Sequence, residues 1–171
     1  MNIFQNKKNL LGNKKGNAFL DTITFVIVFF AFAVFLLLGK VVSDDITADM
    51  ISDTEMFNNQ SRQVAIENNE NYAPLFDNLF IFAFALFWIF VLVASYNIKT
   101  MPLFFVISII LLLFVFIMAA VLTNTWEELV EEQTFADVVD DFPKINFISS
   151  NWLSVSIVIG FSILFMLYAK R

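Results

Sequence analysis

The chain has 171 residues, 59% of them hydrophobic, with a mean hydropathy of +0.76 and a formal net charge of −6. Only 15% of residues are charged, too few to clothe a soluble fold, where apolar content is roughly 45–50%. Cys and His are both absent, which excludes disulfides, thiolate metal sites, cysteine nucleophiles and any His-dependent triad or metal centre.

Residues 1–16 hold Lys7, Lys8, Lys14 and Lys15 and no acid, and form a basic tail. The apolar run that follows, 17–39, exceeds the roughly 7–15 residues of a signal-peptide core and is read as a retained first span. Asp21 is the one ionisable residue read as near the body of a span. An acid in hydrocarbon points to an ion or proton site. At this position the better reading is a first-turn acid at the interface, favoured by the helix macrodipole.

Residues 40–76 are acidic and partly helical. Ile46, Met50, Phe57 and Val64 recur at one-face helical spacing, so the first helix is expected to run on to about Ile66. That stripe either packs on the other extramembrane loop or docks a partner. The Asn68–Asn71 cluster is expected to break the helix, and Pro74 to stand near the start of the next.

Residues 77–97 and 103–122 are two apolar runs of about 20 residues, each long enough for roughly 30 Å of bilayer core. The 98–102 break between them only turns the chain, so they form a central transmembrane hairpin. Trp88 lies mid-run and is expected to pack between helices. Residues 123–150 are acidic again. Thr125 with Glu128 matches a capping box, so a short helix is expected to start there. Trp126, Leu129 and Val130 are placed on the membrane surface, and Pro143 ends any helix over 134–142. The last span is 151–169, with 170–171 beyond it. Ala83, Ala85, Ala119, Ala120 and Gly160 are the close-approach positions, and Ser156 is a mid-span hydroxyl. No span shows the polar stripe that a pore needs.

With four spans, the tail, the 98–102 turn and the C-terminus share one side, which holds seven of the ten basic residues and no acid. The other side holds Lys40, Arg62 and Lys144 with fifteen of the sixteen acids. Lysine and arginine bias near span ends places the basic side inside. The expected fold is all-α: four transmembrane helices, a central hairpin and an acidic helical cap outside.

The outer acids Asp44, Asp45, Asp49, Glu127, Glu128, Glu131, Glu132, Asp137, Asp140 and Asp141 lack the D-x-[DN]-x-[DN]-G arrangement of a calcium loop. They are read as a solvated acidic face that docks a partner, not as a metal site. No catalytic residue, cofactor, metal, small-molecule substrate or nucleic acid is expected. The expected partners are the bilayer, further copies of the chain, and coat or other membrane proteins.

Two resemblances add to this. Gly16 followed by Asp21 at the fifth position after it, behind a basic leader, resembles a type IV prepilin signal. The three further spans depart from that family, which has one apolar helix and a soluble head. The phrases KKGNAFLDTITF, PLFDNLFIFAFALFW, MPLFFVISIILL, NTWEEL, FPKINFI and GFSILFMLYAK together resemble small four-span membrane proteins of archaea and archaea-associated viruses. That resemblance implies a structural membrane component, such as one of a lipid-containing virion, with no catalytic residues. The function expected is a non-enzymatic structural protein of a virion or envelope membrane. The alternatives are a small oligomeric, holin-like pore and an accessory subunit of a larger membrane complex.

Overall fold

The computed structural model describes residues 18–53, 55–97 and 102–168. The regular structure of those residues is helical: α1 (Ala18–Ser52), α2 (Asn59–Asn97), α3 (Pro102–Glu131), α4 (Gln133–Val139), α5 (Pro143–Ser150) and α6 (Trp152–Tyr168). The first three contain 35, 39 and 30 residues. At 1.5 Å per residue they are roughly 52, 58 and 45 Å long, well beyond the roughly 30 Å of a bilayer core. Each is long and apolar enough to cross a membrane, and α5 with α6, bent by 75°, adds a fourth crossing if the pair is one span.

Large apolar side chains cover the outward faces: Phe35 is 67% exposed, Phe90 68% and Phe165 72%. Bare apolar surface of that extent does not persist in water, so the bundle is compatible with an integral membrane protein. Inside, α1 and α2 run antiparallel and are zipped by rings. Phe25 stacks on Phe87 with centroids 4.4 Å apart, and Phe29 meets Phe80 edge-on at 5.4 Å. Each such pair adds about 0.5–1.5 kcal/mol beyond the area it buries. α6 packs on α3 and α2. Gly160 makes the first contact tight, because a Cβ there would stand 2.2 Å from Leu112 Cδ1.

The helix ends differ from expectation in four places. First, α1 stops at Ser52 rather than near Ile66, because side chains offer the backbone a turn. Asp53 Oδ1 accepts from the N–H groups of Glu55 (3.1 Å) and Met56 (2.9 Å), and Asn58 Oδ1 caps α2 through Ser61 N–H at 2.8 Å. Second, the asparagine cluster does not break α2, and Pro74 lies inside that helix. Asn71 turns its amide back onto Glu67 C=O at 2.7 Å, and Asn69 bonds across to α1. Pro74 sits on an exposed face, where water can reach the Glu70 carbonyl left over by the missing N–H.

Third, no helix starts at Thr125. Its hydroxyl donates to Val121 C=O at 2.9 Å and α3 continues to Glu131. The break falls at Glu132, whose C=O accepts from Phe135 and Ala136. Fourth, α4 ends at Val139, and Pro143 opens α5 instead of closing α4. There its fixed φ suits the first helical position.

Candidate functional site

Where the apolar part of the bundle ends, the polar residues fall into a buried brace and an exposed acidic surface. The brace begins at Asp77 on α2, 2% exposed. The contacts of Gly39 with Tyr72 and of Phe29 with Phe80 set the register of α1 against α2 and place Asp77 near Ala33. That is about 10 Å further into the bundle than Lys40, at 1.5 Å per residue. Such a carboxylate needs donors. It finds them at the start of α5: Ile145 N–H donates to Oδ1 at 2.8 Å and Lys144 N–H to Oδ1 at 3.1 Å. The Lys144 ammonium stands 3.6 Å from Oδ2 and also donates to Asn78 Oδ1.

The first turn of α5 is thereby fully accounted for. Pro143 has no N–H, the next two go to Asp77, and Asn146 N–H bonds Phe142 C=O at 2.9 Å. Phe142, at the cap position, offers no side-chain acceptor, so Asp77, far earlier in the chain, does the capping.

The middle of α5 is held by α3. Asn146 Oδ1 accepts from Trp126 Nε1 and from Ser150 Oγ, both at 3.0 Å. Trp126 is fully buried, not on a membrane surface as the sequence suggested, and half-buried Leu129 and Val130 pack against the same core. Phe135, Val139, Phe142, Ile145 and Trp152 complete it.

A second polar node lies at Lys40, 7% exposed. Its ammonium pairs with Asp44, lies 3.6 Å from Asp141 Oδ2 and reaches Asn69 Oδ1 at 3.4 Å. Asn69 donates to Asp44 at 2.7 Å and accepts from Ser43 Oγ at 2.8 Å. One lysine thus ties α1, α2 and the turn after α4. Close by, the Tyr72 ring lies over Gly39, where a Cβ would stand 2.1 Å from the phenol oxygen. Burial pushes the Tyr72 phenol above its usual value.

Of the acids singled out in the sequence, Glu127, Glu128, Glu131, Glu132, Asp137, Asp140 and Asp141 are exposed around α3's end and α4. Asp45 and Asp49 are exposed on α1, and Asp44 is half-buried in the Lys40 node. Among the described residues no cluster of acids is arranged to hold a metal ion. Asp21 is in the first turn of α1, and its side chain lies outside the described residues, as do Gly16, the basic tail, Lys99 and the C-terminal pair. The expected stripe on the α1–α2 arm is not covered by α4. Ile46 is 55% and Val64 50% exposed, and with Val42 and Met50 they border an uncharged cleft of about 410 Å³.

Asp77 is the residue that sequence reading missed. It stands at the head of an apolar run, where an acid reads as an interfacial start, and its partners are 67 and 68 residues away. The available signal was Pro143 opening a helix whose cap position, Phe142, has no acceptor.

Together the fold and site define an all-helical, membrane-compatible bundle with a braced acidic head. Comparison with known proteins finds no family model, no curated protein and no solved structure that matches the chain.

Proposed function

We propose that the chain is a non-enzymatic structural protein of a virion or cell-envelope membrane. It crosses four times, with both termini inside, and holds a rigid acidic head outside to dock a coat or capsid partner. Four crossings require α6 to span with its 17 residues, at the short end of the permitted range. The lysine and arginine distribution supports this arrangement.

The observation that carries the reading is the coupling of an exposed acidic surface to a buried brace. Glu127, Glu128, Glu131, Glu132, Asp137 and Asp140 stand outward on α3 and α4. The same elements are pinned beneath by the Trp126–Asn146 bond and by the buried Phe135, Val138 and Val139 of α4. A backbone held that way meets a partner at a lower ordering cost, and the surface charge selects a basic one. The uncharged cleft of the arm, bordered by Ile46 and Val64 and flanked by Asp45 and Asp49, suits an amphipathic basic helix of that partner.

Gentle solubilisation of the native membrane or particle, followed by mass spectrometry of what co-purifies, tests the reading. The expected result is a basic-surfaced coat protein at constant ratio, lost when Glu127, Glu128, Glu131 and Glu132 are changed together to Gln. Dye release from liposomes by the purified chain, with no partner retained, would overturn it in favour of a pore.

A further inference from the structure

The bend between α5 and α6 leaves a lateral opening beneath α5. α2 forms one wall of a cleft of about 550 Å³, through Ile81, Phe84 and Trp88. α6 forms the other, through Val155 and Val158, and α5 is the roof. The volume lies within the roughly 300–1,000 Å³ of small-ligand sites, and the lining is almost wholly apolar below the roof. In the four-span placement this opening faces hydrocarbon, not water.

The rim differs from the rest of the outer face. Among the thirteen lining residues one, Lys144, is a cation and none is an acid. Its side chain is 46% exposed. Its ammonium pairs with the Asp77 carboxylate at 3.6 Å and donates to Asn78 Oδ1, which leaves one of its three N–H groups for an acceptor on the outside. The other described lysine, Lys40, is consumed by two carboxylates. The acids of α4 lie away from this cleft, since α4 packs on α1 and α3. α5 itself is amphipathic across the interface: Ile145 and Ile148 point into the core, while Phe147 is 69% exposed at the cleft mouth.

The geometry points to a binding site for one anionic phospholipid of the surrounding membrane. An acyl chain lies in the cleft between α2 and α6, and the phosphate sits against the Lys144 ammonium at the roof. Charge complementarity names the occupant, because a free acyl-chain groove with no cation at its mouth would not discriminate headgroups. Lys144 is then a shared group: it braces Asp77 on one side and holds the headgroup on the other. The inference uses the four-span placement and is independent of any coat partner.

The experiment is native mass spectrometry of the full chain after reconstitution with equal phosphatidylglycerol and phosphatidylcholine. The wild type is expected to retain one phosphatidylglycerol with at least a tenfold preference. Ala85→Phe, which fills the cleft from the α2 wall, is expected to lose the bound lipid. Val158→Phe does the same from the α6 wall, so that a folding defect in one variant leaves the other to decide. Lys144→Gln is expected to keep a lipid but lose the headgroup preference. A wild type that retains no lipid, one that retains both headgroups equally, or filled variants that retain lipid as the wild type does would each overturn the site.

Discussion

Asp77 on α2 accepts a 2.8 Å hydrogen bond from the backbone N–H of Ile145, 68 residues later in the chain. That bond makes the start of α5 depend on α2. Replacing Asp77 by Ala leaves two α5 N–H groups without their acceptor inside the bundle, at a cost of about 1–3 kcal/mol for each buried group left unpaired. Asp77→Asn keeps one oxygen for Ile145 and gives up the ion pair, so its loss is smaller. Thermal unfolding in detergent checks the order wild type, Asn, Ala. Hydrogen exchange at the Lys144 and Ile145 amides localises the change, and faster exchange at those two is expected before any elsewhere.

The Lys40 node predicts an asymmetry. Lys40 is buried and serves Asp44, Asp141 and Asn69 at once. The Asp141 side chain is 51% exposed, so water screens its half of the pair. Asp141→Asn is expected to cost less than about 1 kcal/mol. Lys40→Ala leaves Asp44 and Asn69 with an unmatched site and is expected to cost several times more. Melting temperatures of the two variants, measured side by side, decide it, and equal losses would show that Asp141 is not a peripheral member.

Gly39→Ala is expected to destabilise the α1–α2 arm even though alanine is the better helix former by about 0.8–1 kcal/mol. The new Cβ would fall 2.1 Å from the Tyr72 oxygen and 3.2 Å from ring carbon Cζ. Overpacking of this kind costs about 1–3 kcal/mol. Tyr72→Phe removes the nearer atom only, so in the double variant part of the loss should return. A double-mutant cycle on unfolding free energy reads the coupling directly.

Tyr72 also gives a pH dependence. Burial raises its folded pKa above the unfolded value of about 10. The folded state therefore holds the phenol proton more tightly. Its contribution is fully present below about pH 10 and is lost as pH rises through the folded value. The Tyr72 contribution is expected to be flat on the acid side of that window and to fall within it. Tyr72→Phe should remove that component of the fall, and an unchanged alkaline profile would contradict the assignment.

The apolar helices were legible because run length and composition alone decide whether a segment is long enough to cross a bilayer, and the acidic character of both outer segments is written in residues such as Asp45 and Glu128. The helix ends were less legible. Asn69 and Asn71 read as breakers by propensity, yet one is consumed by α1 and the other by its own preceding turn. Thr125 fits a cap by spacing, yet nothing stops α3 there and its hydroxyl bonds backward. Trp126 was expected at the membrane surface and lies in the core, because its partner Asn146 comes 20 residues later on a helix that only tertiary packing brings near. The brace was the least legible part, since Asp77 looks like an ordinary interfacial acid until α5 is folded over it.

The account rests on four crossings with the acidic head opposite both termini. The chain has no cysteine, so single cysteines report without background. Met56→Cys, at the 80% exposed tip of the arm, Lys99→Cys and Arg171→Cys would each be treated with a membrane-impermeant maleimide on intact cells and again after lysis. The account predicts labelling of position 56 in intact cells and of positions 99 and 171 only after lysis. Labelling of position 171 in intact cells together with 56 would mean that α6 does not cross, and labelling of 99 with 56 would contradict the topology outright.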